Sequence, residues 1–107
     1  MPAVGGLSWL GAIELTRFKV ALDKTEALLA ARPAMVADFR ADREGFLGAR
    51  LVALPDGEWL DVVEWRSAQD FAASRAKGAN LPGIAAFSAA IGELVSAEEG
   101  VLAEFDL

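Results

Sequence analysis

Between Ala12 and Val20 apolar and polar positions alternate. Glu14, Thr16, Phe18 and Val20 fall on one face of a strand, and Ile13, Leu15, Arg17 and Lys19 on the other. The period then lengthens. Leu28, Leu29, Arg32 through its aliphatic stem, Met35, Val36 and Phe39 recur at three and four spacing, the stripe of an amphipathic helix. Asp23 stands before it as an N-cap with Glu26 three residues on, a capping-box arrangement. Pro33 removes the bond to the Leu29 carbonyl and crowds that turn, which predicts a kink or restart near Arg32.

After Glu44-Gly45, Phe46 to Leu54 reads as a second strand, with Phe46, Gly48, Arg50, Val52 and Leu54 on one face. Pro55-Asp56-Gly57 is turn chemistry, because proline presets one dihedral and glycine supplies a positive one. Glu58 to Trp65 follows as a third strand, with Trp59, Asp61 and Trp65 on a single face. A loop of two or four residues sets Leu54 against Trp59 and places Arg50 diagonal to Asp61 on that face. A three-residue loop moves the register one step and breaks that pairing.

Ser67-Ala68-Gln69-Asp70 repeats a capping pattern, and a short helix runs to Lys77 with Gly78 placed to end it. Pro82 suits a first helical position, and Ile84, Phe87, Ile91 and Leu94 form one stripe. Ser96 to Gly100 then reads as a turn and Val101 to Leu107 as a last strand. The order strand, helix, strand, strand, helix, strand is the split β-α-β pattern. It predicts an α+β, ferredoxin-like βαββαβ domain, a four-stranded antiparallel sheet with helices on one face, over residues 12–107. Residues 1–11 read as an arm, without the basic segment and long apolar segment of a leader.

At 107 residues and 54% hydrophobic content the chain makes one domain with a sizeable core. Its second and third strands are largely apolar on both faces, so the face without helices is expected to pack on a second copy, giving a homodimer. No apolar run approaches the roughly 18 residues of a membrane span. A net charge of −6 with scattered Lys and Arg excludes the basic stripe of a nucleic-acid binder. The chain has no cysteine, which excludes disulfides and thiolate chemistry and suits a cytoplasmic protein.

Candidate chemistry is narrow, because the chain also lacks histidine and tyrosine. Neither Ser67 nor Ser88 has a histidine to activate it, and no GxGxxG or GxxxxGK[ST] string occurs. The acids show no metal-ligand spacing, so no metal is expected. Trp65 can stack on a flat ligand, and Trp59 fits packing or an interface. Asp61 reads either as half of an ion pair with Arg50 or as a proton acceptor, with Arg50 stabilising negative charge on a ligand oxygen. Glu14, Glu64 and Glu104 are further strand acids, and Glu14 and Glu104 could approach one another across neighbouring first and last strands.

The strings Glu14-Leu15-Thr16-Arg17-Phe18-Lys19-Val20, Gly45-Phe46-Leu47-Gly48-Ala49-Arg50-Leu51 and Trp59-Leu60-Asp61-Val62-Val63-Glu64-Trp65-Arg66-Ser67, followed by Ala72-Ala73, resemble the antibiotic biosynthesis monooxygenase domain of the dimeric α+β barrel superfamily. The resemblance implies two sheets packed face to face in a dimer, with a cavity in each subunit between sheet and helices. Some members oxidise polycyclic phenols to quinones with molecular oxygen and no cofactor, using a tryptophan near the end of the third strand with asparagine and arginine residues. Trp65 matches that tryptophan by position, and Asn80 is the only asparagine in this chain. Other members degrade haem through a histidine ligand, which this chain cannot supply.

Two functions follow as expectations. One is a cofactor-independent monooxygenase of small aromatic or polyketide-like phenols, with Trp65, Asp61 and Arg50 as catalytic residues. The other is a non-catalytic dimeric module that binds a small apolar or aromatic molecule. In either case the cavity contacts are expected from Leu15, Phe39, Phe71, Asn80, Phe87 and Ile91.

Overall fold

The computed structural model describes residues 11–103. Within them lie β1 (Ala12–Lys19), α1 (Thr25–Asp42), β2 (Phe46–Ala53), β3 (Glu58–Trp65), α2 (Ala68–Lys77), α3 (Pro82–Ala89) and β4 (Glu93–Val101). The strands form one antiparallel sheet in the order β2-β3-β1-β4, which is the α+β ferredoxin-like arrangement. The expected arm falls almost entirely outside the described residues.

Several local expectations meet different outcomes. Ser67 caps α2, its Oγ accepting from the Asp70 N–H at 3.1 Å, and Gly78 ends that helix at φ +62°. Pro82 opens α3. Asp23, by contrast, lies inside a single 3-10 turn, Leu22–Lys24, and no side chain caps α1. Pro33 sits inside α1, which is one continuous helix of 18 residues. Burial of Leu28 and Met35 on either side of the proline fastens both halves of that helix to the same core, offsetting the lost backbone bond.

The last strand is corrected. β4 occupies Glu93–Val101, where a turn over Ser96 to Gly100 was expected. α3 closes at Ala89, so Leu94 belongs to β4 and stands 60% exposed. β4 is an edge strand whose residues are mostly exposed, and it therefore carries Glu93, Glu98 and Glu99 instead of an apolar alternation. The expected strand shares only Val101 with it, and Glu104 lies outside the described residues. Across β4 the cross-strand partner of Glu14 is Glu99.

Strand register decides the faces. The turn after β2 spans three residues, Pro55 to Gly57, with the Leu54 N–H donating to the Glu58 carbonyl at 2.8 Å. Asp56 and Gly57 take the positive φ values that close it. Ala49, Arg50 and Leu51 consequently oppose Val63, Val62 and Asp61. A register shift between Phe46 and Gly48 returns Phe46 to the side of Trp65.

Asp61, Val63 and Trp65 point toward the helices, together with Ala12, Glu14, Thr16 and Phe18 of β1. Ile13, Leu15, Leu60 and Val62 lie on the uncovered face. The core has two parts, one around Phe18, Leu28, Met35, Ile84 and Phe87, the other around Ala12, Phe46, Val63, Trp65 and Phe71. Val36 and Phe39 pack against both. At Gly83 a Cβ would come within 2.6 Å of the Ala34 backbone, so α1 and α3 approach closely only because that residue is glycine. Replacing Pro33, which is exposed, by alanine restores the bond to the Leu29 carbonyl. Pro33→Ala is expected to raise stability by about 1–3 kcal/mol, read from the urea midpoint at unchanged m-value.

Candidate functional site

Trp65 ends β3, the strand paired on both sides, and is 1% exposed. Three aromatic rings fix its indole. Phe71 stacks on it at 6.0 Å between centroids, while Phe39 and Phe46 meet it edge-on at 6.1 and 5.7 Å and stack on each other at 5.7 Å. Its one polar atom, Nε1, donates to Glu14 Oε1 at 3.0 Å. That bond orients an acid that β1 would otherwise leave unpartnered on an apolar face.

Burial pushes the Glu14 carboxyl above the usual carboxylate range, and the Asp61 and Glu99 charges push the same way. The Trp65 bond and the Arg75 charge oppose them without cancelling the rise. A carboxylate of raised basicity beside an open space is suited to accept a proton. The space is present. One chamber of about 200 Å³ is lined by Glu14, Thr16, Phe71, Arg75 and β4 residues. A second, of about 270 Å³, is lined by Glu14, Phe39, Arg43, Phe71, Arg75 and Ile84 among others. Glu14, Phe71 and Arg75 belong to both, so the two chambers meet at one acid, one ring and one guanidinium. The Arg75 guanidinium lies 4.6 Å from the Phe71 ring centre, a cation held over an aromatic face.

Asp61 is neutralised by another route. Arg32 of α1 donates both terminal nitrogens to its two oxygens, each at 2.8 Å, with both side chains nearly buried. The same guanidinium lies 5.1 Å from the Phe87 ring centre. With its oxygens engaged in a bidentate pair, Asp61 acts on the site as a fixed charge near Glu14. Arg50 does not pair with it: the three-residue turn places Arg50 opposite Val62 on the uncovered face, where it is exposed.

Of the expected contacts, Phe39 and Phe71 line the chambers. Phe87 is buried in the core at 4% exposure, and Ile91 packs against that core just beyond α3. Leu15 pairs with Val62 on the uncovered face. Asn80 bonds to Arg43 and Asp42 at the chamber rim. Sequence reasoning took Glu14 only as a further strand acid and Arg32 only as part of the α1 stripe, and it left out Arg75 and Arg43. Two of these carried a signal: Glu14 shares its strand face with Phe18, and Arg32 lies in the apolar stripe of α1. Among the described residues no three acids gather as metal donors do, and no helix is long and apolar enough to cross a membrane.

A four-stranded sheet with helices over one face, and a tryptophan-anchored acid facing two open pockets, define an α+β domain with a candidate site between its layers. The profile of the family described as antibiotic biosynthesis monooxygenase matches residues 12–79, and the chain belongs to that family. No curated protein matches the chain. Among solved structures, Rv0793 of Mycobacterium tuberculosis is similar at 26% identity and a TM-score of 0.58, over 90% of this chain and 96% of that one. SnoaB of Streptomyces nogalater, a cofactor-independent oxygenase, is similar at 22% identity and a TM-score of 0.56, over 90% and 94% of the two chains. A conserved protein of Methanosarcina mazei is similar at 10% identity and a TM-score of 0.62, over 92% and 96%.

The Arg32–Asp61 pair can be tested by a mutant cycle. Arg32→Met leaves Asp61 uncompensated and is expected to lower stability by about 3–5 kcal/mol. The double variant Arg32→Met/Asp61→Leu is expected to recover most of that loss in urea unfolding.

Proposed function

We propose that the protein is a cofactor-independent monooxygenase of small aromatic phenols or anthrones. The observation that carries this reading is Glu14: an acid of raised pKa, oriented by the Trp65 indole, at the meeting point of two chambers. Family membership and the likeness to SnoaB support the reaction class. Individually small, the chambers together are of the order of a small-molecule site, roughly 300–1,000 Å³.

In this reading a substrate hydroxyl or activated CH₂ gives its proton to the Glu14 carboxylate. Arg75 stabilises the resulting anion, and the ring stacks against Phe71. The anion then supplies the electrons that reduce oxygen. For an anthrone, R₂CH₂ and O₂ give R₂C=O and H₂O: one oxygen atom enters the product, the other leaves as water, and the substrate is the sole reductant. No acid other than Glu14 in this part of the site has both a chamber in front of it and basicity raised by burial.

The same reading includes a homodimer. The uncovered sheet face carries Ile13, Leu15, Leu60 and Val62, and beside β2 it holds a groove of about 650 Å³ lined in part by Leu47, Arg50 and Glu64. Such a face fits a second copy better than water. Light scattering on the eluting protein checks the mass.

Oxygen consumption over a panel of hydroxynaphthalenes and anthrones is the direct assay. Glu14→Gln is expected to lower kcat/KM by about 10²–10⁴, the usual share of a general base. Because only the ionised carboxylate accepts the proton, kcat/KM of the wild type should fall as pH drops through a value above the ordinary carboxylate range. Ligand-induced thermal stabilisation without oxygen uptake across the whole panel would favour a binding-only module instead.

Stability should move oppositely to activity. A carboxyl raised by burial carries a penalty that is absent below its unfolded-state pKa and is incurred as pH rises through its folded-state pKa. Glu14→Gln keeps an oxygen for the Trp65 N–H but removes that penalty. Its melting temperature is expected to exceed the wild type's at pH 7, with the difference closing below about pH 4.

A further inference from the structure

The two chambers share Glu14, Phe71 and Arg75, but the charge around them differs. β4 adds Glu99 to the smaller one, directly opposite Glu14 across the β1–β4 pair. Side chains directly opposite on neighbouring strands share a face, so two carboxylates stand on the chamber side there. Glu98 is opposite Leu15 and so belongs to the uncovered face. A like-charged cross-strand pair is unfavourable for the sheet. An edge strand is protected by charges of either sign, so edge protection does not ask for a second acid opposite Glu14.

Few cations are free to offset this pair. Arg32 is spent on Asp61, with both terminal nitrogens bonded to its carboxylate. Arg43 lines the larger chamber, but it donates from Nε to Ser74, from Nη1 to Asp42 and Asn80, and from Nη2 to the Gly78 carbonyl. Four of its five N–H groups are thereby engaged by protein. Arg75 is different. It lies over the Phe71 ring, and none of the ion pairs among the described residues includes it. The chambers are therefore faced by two acids, Glu14 and Glu99, and one uncommitted cation.

One guanidinium compensates one anion. During proton transfer the negative charge passes from Glu14 to the substrate, so the total around the site is unchanged and Arg75 serves the new anion. Glu99 keeps its charge throughout. A substrate that already carries a carboxylate would compete with its own nascent anion for Arg75 and would bring a further negative group beside Glu14 and Glu99. We propose that the site selects phenols or anthrones that are uncharged before proton transfer, and that Glu99 is the specificity-determining residue that turns carboxylated analogues away. The assignment rests on the chambers being the substrate site of the reading above, but its test does not use turnover.

Calorimetric titration of the full chain in oxygen-free buffer with 6-hydroxy-2-naphthamide and 6-hydroxy-2-naphthoate compares probes of one shape that differ by one charge at pH 7. The wild type is expected to bind the amide about tenfold more tightly at about 0.02 M salt. Because Glu99 is exposed, that preference should shrink at about 0.5 M salt. Glu99→Gln is expected to reduce it roughly threefold to fivefold, and Glu99→Lys to reverse it. Glu93→Gln, which removes the same charge from the far end of β4, should leave it unchanged. A preference unaltered by both Glu99 substitutions overturns the assignment, as does an equal change in Glu93→Gln, which would reflect net charge alone. Failure of both probes to bind, or a wild type that prefers the carboxylate, overturns it too. Selectivity that follows Glu99 without oxygen uptake from any phenol removes the oxygenase reading and leaves the assignment standing. Uptake with a preference indifferent to Glu99 does the reverse.

Discussion

The register of β3 against its two neighbours is the constraint on which the site depends. β3 pairs with β1 and β2 at once, and side chains alternate across it, so one choice of register sends Asp61, Val63 and Trp65 to the helices and Leu60, Val62 and Glu64 to the open face. Once Trp65 points inward, the positions of Phe39, Phe46 and Phe71 follow from packing around its ring, and its N–H needs a buried acceptor. Glu14 supplies that acceptor from β1 because the antiparallel pairing of Ala12 with Trp65 brings it alongside. A slip of one residue would turn the tryptophan to the open face and leave no reason for an acid inside.

Two carboxylates stand on the helix side of adjacent strands and are treated differently. Asp61 meets a guanidinium in a bidentate pair, which holds it as a fixed negative charge. Glu14 meets only a neutral indole N–H, and burial raises its affinity for a proton. The difference comes from what packs over each strand: α1 delivers Arg32 above Asp61, while the space above Glu14 is left open between α2 and β4. Neighbouring groups of the same chemical type are thereby given unlike environments, the general route by which acids in one site acquire separate tasks. Asp61 also adds to the rise at Glu14, so the structural pair and the reactive acid are electrostatically linked.

The arginines show a parallel division. Arg32 and Arg43 are committed to protein partners, and the Arg66 guanidinium bonds Asp70 at the start of α2. Arg75, held over the Phe71 ring, lines both chambers beside Glu14. Charge in the interior is therefore distributed between holding the frame and facing the chamber, and Arg43, bonded to Ser74, Asp42, Asn80 and Gly78 while lining one chamber, lies where those two tasks meet. Its buried position lets one side chain tie the end of α1 to the segment between α2 and α3.

Much of this architecture is written locally. Alternation from Ala12 to Val20, the stripe of α1, the Ser67 cap and the Pro55-Asp56-Gly57 turn depend only on neighbours in sequence, so the element order and fold class could be read from them. β4 was misplaced because an exposed edge strand needs no apolar pattern, and its acids imitate a loop. Pro33 did not break α1 because burial on both sides of it outweighs one missing bond. The residues themselves determined that Trp65 shares a face with Asp61 and that Glu14 shares one with Phe18. Only the tertiary structure decided the partners, Arg32 for Asp61 and Trp65 for Glu14. Those contacts join residues 29 and 51 positions apart, and their pairing turned on the length of one loop and the packing of one helix.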